Sequence, residues 1–216
     1  ANAFVIYDDV QKMYDERAAE LAKIVAERKA EEDRWAKENP EAAKKQEAWF
    51  NNELPQIDWA NIAVPLNGPT RNASSAALAT LSEKVENMIV SSADLCNSDK
   101  TDGFLKHTHV ITPGDFSGNF FQAGVSELTM ACCCMGMTLH GGVITAMGTF
   151  FVFSDYMKPA VRMAALMELP VKFVWSHDSF RVGEDGPTHE PIEQEAQIRL
   201  LEKMKNHSGR NSLLVM

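Results

Sequence analysis

From residue 69 onward, short apolar stretches alternate with stretches of helical periodicity, and this alternation constrains the fold more than any other feature of the chain. Strands separated by helices form parallel sheets whose two faces are covered by helices. The pattern therefore predicts an α/β fold, a three-layer α/β/α sandwich with a mainly parallel sheet. Strands are predicted at 88–90, 120–125, within 143–153, at 171–175 and at 213–216; helices are predicted at 73–85, 127–139 and 159–168, and after Pro191 with Ile192, Ala196, Leu200 and Met204 on one apolar face.

The predicted topology also indicates where a ligand would bind. In open parallel sheets, ligands lie beyond the carboxyl ends of the strands. The segments that follow Val90, Phe153 and Trp175 are therefore the places where functional side chains are expected.

The first part of the chain has a different character. Residues 1–50 include 21 charged residues, whereas residues 104–174 include only 8. The charged part has helical periodicity and is expected to be only partly buried, with Asn39-Pro40 as a break. We therefore divide the chain into a helical arm and linker, 1–64, and one α/β domain, 65–216.

Charge and targeting features exclude several classes of protein. The formal charge of −9 argues against a general nucleic-acid binder, which needs a basic surface. The longest apolar tract, 128–153, is interrupted by His140-Gly141-Gly142, which argues against a membrane span, and the first residues lack the features of a secretory signal. We expect a soluble, cytoplasmic protein whose four cysteines are reduced and mostly buried.

The segment 176–191 carries the most chemistry. It reads Ser-His-Asp-Ser-Phe-Arg-Val-Gly-Glu-Asp-Gly-Pro-Thr-His-Glu-Pro and directly follows a predicted buried strand. His177, Asp185 and His189 could bind a phosphorylated or polyhydroxyl substrate and transfer protons. The segment could equally be a solvated surface loop. A zinc site would need a fourth ligand, and none stands at a useful spacing.

Several motifs, in order, resemble those of transketolases. The stretch Val-Gly-Glu-Asp-Gly-Pro-Thr-His-Glu-Pro closely resembles a family signature, and Gly-Val-Ser-Glu at 124–127 is similar to the family's Gly-Val/Ile-Arg-Glu. Thr-Phe-Phe-Val-Phe-Ser-Asp-Tyr at 149–156, Ser-Ala-Asp-Leu at 92–95 and Thr70-Arg71 also have family counterparts. The resemblance covers roughly residues 65–216 and is far more specific than any single motif.

The resemblance implies a thiamine diphosphate-binding fold and that cofactor's chemistry. Glu127 matches the glutamate that bonds a pyrimidine nitrogen and so activates the cofactor. Phe150, Phe153 and Tyr156 match residues packed around the aminopyrimidine, which requires the chain to leave the strand near Phe153, and Asp94 matches a residue near the cofactor. Without the family, Glu127 would be an ordinary first-turn helix acid, the aromatic side chains ordinary core, and Asp94 an exposed loop acid.

The resemblance also implies substrate contacts. The residues that hold the sugar phosphate in the family are matched here by Arg71, Ser98 and His177. Asp185 matches a residue that recognises a substrate hydroxyl, and His189 matches one that bonds oxygens at the reacting end of the substrate. By themselves these would be a surface cation, a loop hydroxyl and turn residues around Gly186-Pro187. His189 and Glu127 are accordingly the candidate catalytic residues.

The chain departs from the family pattern in three places. Ser126 replaces the usual arginine, and Cys-Asn-Ser-Asp at 96–99 replaces the more usual Pro-Ser-Asn. The Gly-Asp-Gly motif that holds Mg²⁺ and the cofactor's phosphates in the family does not occur, so metal ligands are expected in another domain.

The resemblance therefore implies the middle, pyrimidine-binding domain of a transketolase, either an excised piece or one subunit of a split enzyme. The intact homodimeric enzyme would transfer a two-carbon ketol unit between sugar phosphates in the pentose phosphate pathway, and this domain alone would be inactive. Two alternatives stay open: half of another thiamine-dependent enzyme, such as a deoxyxylulose-phosphate synthase or a dehydrogenase beta subunit, or a non-catalytic interaction domain of the same fold.

Overall fold

The computed structural model describes residues 4–179, 182 and 185–216. It divides into two compact units, one ending at Ala48 and the other comprising Trp49–Met216. Helix α1 spans Asp8–Glu38, and α2 spans Pro40–Phe50. The break between them lies where it was predicted, because proline is favoured in the first turn of a new helix. Helix α1 is mostly exposed and has no fully buried residue; only Ile24 and Ala36 are partly buried.

The second unit contains a four-stranded sheet in which every pairing is parallel. Strand β1 is Met88–Ser92, β2 is Phe120–Gln122, β3 is Ile144–Phe150 and β4 is Lys172–Ser176. The strand order is β2-β1-β3-β4, with Ser92 paired to Gly148 and Phe150 to Ser176. The predicted parallel α/β sheet is therefore confirmed.

Helices cover both faces of the sheet. The remaining helices of this unit are α3 (Thr70–Lys84), the short α4 (Cys96–Asp99), α5 (Glu127–His140), α6 (Ser154–Leu166) and α7 (Gln194–Leu201), and short 3-10 helices lie at Trp59–Asn61, Thr101–Lys106 and Phe151–Phe153. Met147 of β3 packs with α5 and α6, whereas the preceding Ala146 packs with residues of α3 and the 3-10 helix Thr101–Lys106. Because successive strand residues point to opposite faces, these two cores define three layers.

The last helix differs from its prediction. Helix α7 begins at Gln194 and buries Gln194 and Ile198, with Ile198 only 2% exposed. Ile192 and Leu200, on the predicted apolar face, are 81% and 66% exposed. The four-residue repeat identified a helix but the wrong buried face, because a hydrogen-bond network buries the polar Gln194. Its side-chain amide donates to Asp155 of α6, and its side-chain oxygen accepts the Ile192 backbone N–H.

Two smaller predictions need correction. Helix α6 begins at Ser154, and Pro159 lies inside it rather than at its start. The segment 213–216, which is described throughout, forms no strand.

The cysteine prediction also needs correction. All four cysteines are free, but Cys132 and Cys133 are exposed, and only Cys134 is buried. Three consecutive helix positions point in three directions, so an amphipathic helix cannot bury them all. Among the helices that the structure describes, none combines the length and apolar character needed to cross a membrane.

Candidate active site

The candidate residues gather at one edge of the sheet. All four strands run in the same direction, so their carboxyl ends share that edge. The candidates follow these ends within a few residues: Asp94 after β1, Glu127 after β2, Phe153 and Tyr156 after β3, and His177 after β4. This is the edge at which parallel sheets bind ligands.

An aromatic and imidazole cluster forms where β3 and β4 end. The chain leaves β3 after Phe150 and turns through the 3-10 helix Phe151–Phe153. The ring centroids of Phe150 and Phe153 are 5.8 Å apart, and those of Phe153 and Tyr156 are 6.1 Å apart. The His177 ring stacks on Phe150 at 3.6 Å, and His189 meets Phe153 edge-on at 5.3 Å. The early turn thus joins side chains that a straight strand would separate.

The protonation state of His177 follows from its neighbours. Its Nε2 lies 2.7 Å from Nη1 of Arg71, and its Nδ1 lies 2.9 Å from the Ser176 hydroxyl. A guanidinium has donors and no acceptor, so Nε2 must accept the hydrogen bond and carry no proton. The ring proton is then on Nδ1, which donates to Ser176. Burial, and after it the positive charge of Arg71, lowers the pKa of His177, which agrees with a neutral ring.

A cleft of about 740 Å³ opens beside this pair. Its walls include the first turn of α3, with Arg71, and the end of β4, with His177; Asp185 also lines it. The Nε of Arg71 is buried without a hydrogen-bond partner among the described residues. A guanidinium with a spare donor beside a helix N-terminus suits an anionic ligand. Phe180, Arg181, Gly183 and Glu184 of the segment 176–191 lie outside the described residues.

Asp99 is a cleft residue that the sequence analysis missed. Its side chain, only 2% exposed, accepts hydrogen bonds from the Ser92 hydroxyl (2.8 Å) and from the backbone N–H and hydroxyl of Thr101 (2.8 and 2.7 Å). Burial nevertheless raises its pKa above the ordinary value, although these bonds act in the opposite direction. The only indication in the sequence was its place in the stretch that departs from the family motif.

Glu127 is the first residue of α5 and is only 8% exposed. Within the described part of the chain, no hydrogen bond or ion pair engages its carboxylate. Among the described residues, its carboxylate oxygens do not belong to the fully buried polar atoms that lack a partner, so they remain accessible to a ligand. This observation fits a glutamate that bonds a cofactor ring. Among the described residues, neither His177 nor His189 forms a ring contact or hydrogen bond with Glu127, which follows β2, the strand at the opposite side of the sheet from β4.

Two candidates lie apart from the cluster. Asp94 is exposed, has a φ of +64°, and accepts a hydrogen bond from the Gln122 side-chain amide at 3.4 Å. His177, which belongs to the cluster, also has a positive φ, +53°. Such backbone conformations are costly for non-glycine residues and are frequent at functional sites. Ser98 is exposed in α4 and does not line the cleft, whereas its neighbour Asp99 does.

The described residues contain no group of three histidine, cysteine, aspartate or glutamate side chains arranged to hold a metal ion. His189 forms a hydrogen bond with its neighbour in the chain, with its Nδ1 2.9 Å from the Thr188 hydroxyl. The site therefore offers imidazoles, a guanidinium, carboxyl groups and aromatic rings, which suit an anionic organic ligand.

Comparisons with known proteins agree with this arrangement. A family model described as the transketolase pyrimidine binding domain matches residues 68–211. The transketolase of Bacillus subtilis (strain 168) is 46% identical over 166 residues, which cover 75% of this chain and 24% of that protein. This chain thus spans about a quarter of the length of the curated relatives that it matches.

Solved structures give the same result. The transketolase from Leishmania mexicana matches with a TM-score of 0.79 and 33% identity, covering 91% of this chain and 29% of that one. The transketolase from Pichia stipitis, solved as a complex with sedoheptulose 7-phosphate, matches with a TM-score of 0.80 and 32% identity, covering 92% and 30%. The chain belongs to the transketolase pyrimidine-binding domain family.

Proposed function

We propose that this chain is the pyrimidine-binding part of a transferase that uses thiamine diphosphate to move a two-carbon ketol unit from a ketose phosphate to an aldose phosphate. The observation that carries the proposal is the cluster of His177 and His189 on the aromatic rings after β3, beside a cleft that contains Arg71. Proton transfer and anion binding, the two tasks of such a reaction, thus have suitable groups side by side.

Five residues of this chain would hold the cofactor. The unpartnered Glu127 would bond a pyrimidine nitrogen, Phe150, Phe153 and Tyr156 would pack around the ring, and Asp94 would lie nearby. When bound, thiamine diphosphate supplies the nucleophilic carbon that attacks the ketose carbonyl. The carboxyl of Glu127 would hold the proton that it shares with the ring. Mg²⁺ and the cofactor's phosphates would be held by another domain.

The substrate would lie in the cleft. Arg71 and His177 would hold its phosphate, and Asp185 would form a hydrogen bond with a hydroxyl. His189, which meets Phe153 edge-on rather than lining the cleft, would bond and exchange protons with oxygens at the reacting end. The complex of the Pichia stipitis relative with sedoheptulose 7-phosphate supports a sugar phosphate as the ligand. Ser98, which is exposed in α4 and does not line the cleft, would complete the phosphate site through its hydroxyl.

The proposed function requires a partner domain. The active protein would be a homodimer in which this chain's α/β domain, 65–216, meets a diphosphate-binding domain, with the arm and linker at 1–64 before it. We place this enzyme in the cytoplasm and in the pentose phosphate pathway. Without the partner domain, this chain would be inactive.

The test is to mix this chain with the diphosphate-binding domain of a bacterial transketolase, thiamine diphosphate and Mg²⁺, and to measure ketol transfer from xylulose 5-phosphate. We expect activity from the mixture and none from either component alone. Glu127→Gln should lower kcat by about 100-fold or more, the scale of a lost acid–base contribution. Glu195→Gln, the same change in the exposed first turn of α7, is the control. Full activity of the Glu127 variant would exclude the proposed mechanism, and a preference for other thiamine-dependent reactions would change the enzyme class.

A further inference from the structure

The hydrogen bond between Arg71 and His177 has a consequence for anion binding. The Nε2 atom of His177 accepts from Nη1 of Arg71 at 2.7 Å, so its lone pair is directed at the guanidinium. The other ring nitrogen is engaged by Ser176 at 2.9 Å. The imidazole therefore offers no free N–H to a ligand in the cleft.

An anion would change this arrangement. Sulfate and phosphate oxygens are acceptors, and they would compete with Nε2 for the guanidinium, whose Nε has no partner. Once Nη1 turns to the anion, the Nε2 lone pair of His177 would face anionic oxygens, which is repulsive. Protonation of Nε2 removes that repulsion and adds a charge-assisted hydrogen bond to the anion.

An anion changes the balance of charges around the ring in favour of protonation. Burial comes first among the causes that lower the pKa of His177, followed by Arg71 on α3, and His189 acts in the same direction. Asp185 and Asp178 act in the opposite direction, and the buried Asp99 lines the same cleft. An anion that engages the guanidinium compensates the charge of Arg71 and adds negative charge of its own, so the balance shifts toward the imidazolium.

We propose that an anion entering this cleft displaces the hydrogen bond between Arg71 and His177 and is bound together with one proton, which is taken from solvent onto Nε2 of His177. No other bond forms or breaks. The proposal rests on the proposed function, since it concerns the cleft in which the phosphate of the substrate would lie. It makes phosphate recognition pH-dependent, because release of the anion returns the proton.

The direction of the pH dependence follows from linkage. Binding raises the pKa of His177, so affinity for a doubly charged anion is highest below the pKa of the anion-free protein. Between the midpoints of the free and bound proteins, affinity should fall about tenfold for each unit that the pH rises. Above the bound-state midpoint the dependence should end.

The experiment is a pH titration of the full chain, labelled with ¹⁵N in its histidines, by nuclear magnetic resonance with and without sodium sulfate at constant ionic strength. Sulfate is the probe because, unlike inorganic phosphate, it does not titrate in this range. The ring nitrogen shifts distinguish the two neutral tautomers from the imidazolium. His207, whose side chain is 88% exposed, serves as the internal reference.

We expect sulfate to raise the midpoint of His177, to leave that of His207 unchanged, and to lose this effect in Arg71→Gln. If sulfate binds through Arg71 but His177 merely exchanges tautomers or does not respond, proton-coupled binding is wrong and the proposed function stands. If sulfate does not perturb the backbone amides of residues 70–72 at any pH, the phosphate site of the proposed function is itself wrong, and this inference falls with it.

Discussion

Replacing Asp99 with alanine should destabilise the α/β unit strongly, although the residue is a charged side chain in a polar stretch of the sequence. Its carboxylate accepts three hydrogen bonds, one from Ser92 and two from Thr101. Both donor residues are fully buried, at 0% and 1% exposure. Alanine would leave these donors without their acceptor where water cannot easily replace it.

The magnitude follows from the cost of unpaired buried groups. Each buried donor that loses its partner costs about 1–3 kcal/mol. The raised pKa of Asp99 shows that burial of the carboxylate is itself unfavourable, so its removal offsets part of the sum. We therefore expect Asp99→Ala to lower the free energy of unfolding by about 2–4 kcal/mol, measured by urea unfolding followed by circular dichroism.

Two comparisons make the test specific. Asp102→Ala, which removes a nearby acid whose side chain has no hydrogen bond to any described residue, should change stability by only about 0.5 kcal/mol. In Asp99→Asn the amide oxygen can keep both bonds from Thr101, and the amide N–H can donate to Ser92, so most of the stability should remain. If Asp99→Ala unfolds at the urea concentration of the unchanged chain, the proposed role of this network is wrong.

The Asn variant also tests the pH dependence. A carboxyl whose pKa is raised by folding contributes stability that is present at low pH and is lost as the pH rises through the folded pKa. The loss begins near the ordinary value of 3.8 and ends above the raised one. Asp99→Asn lacks this loss, so its stability relative to the unchanged chain should improve from acid to neutral pH. A constant difference across that range would contradict the raised pKa.

Two further predictions concern packing and cysteine reactivity. Gly148→Ala should lower the free energy of unfolding by about 1–3 kcal/mol, because the added methyl group on β3 would press on the buried side chains of Thr101 and Asp99. Gly136→Ala, on the open surface of α5, should raise it by about 0.5–1 kcal/mol. Equal unfolding midpoints would contradict both predictions. Burial raises the pKa of Cys134 to about 12. Iodoacetamide at pH 8 should therefore label the exposed Cys132 and Cys133 but not Cys134, which peptide mass spectrometry can measure. Equal labelling of all three would contradict the burial of Cys134.

The fold could be predicted largely because strand and helix periodicities differ. The tract from Glu127 to Phe150 shows this best: its helix and strand are divided at the two glycines that the sequence indicated. The face of α7 could not be predicted, since it depends on the hydrogen bonds of Gln194 across the chain to α6. A hydrophobic repeat predicts which apolar residues are buried, but it cannot predict that a polar residue is buried by its hydrogen-bond partners.

For the candidate site, the sequence motifs proposed residues, and only the fold shows how these residues are arranged. The motifs identified His177, His189 and the aromatic residues at 150 and 153 as candidates, and in the structure these rings are in contact. Arg71 and His177 are 106 positions apart, and the family resemblance alone assigned them to one phosphate site; their direct hydrogen bond is seen only in the folded chain. The same is true of Asp99, whose burial arises from the packing of α4 and β3 rather than from any local pattern.

The most direct test of the central claim, that Glu127 is a ligand of the cofactor, is calorimetry of thiamine diphosphate binding to the chain assembled with a diphosphate-binding domain and Mg²⁺. A hydrogen bond to a charged group contributes about 1.5–3 kcal/mol, so Glu127→Ala should weaken binding by about 10- to 150-fold. Glu195→Ala should bind as the unchanged chain does. Equal affinity of the Glu127 variant and the unchanged chain would contradict the claim.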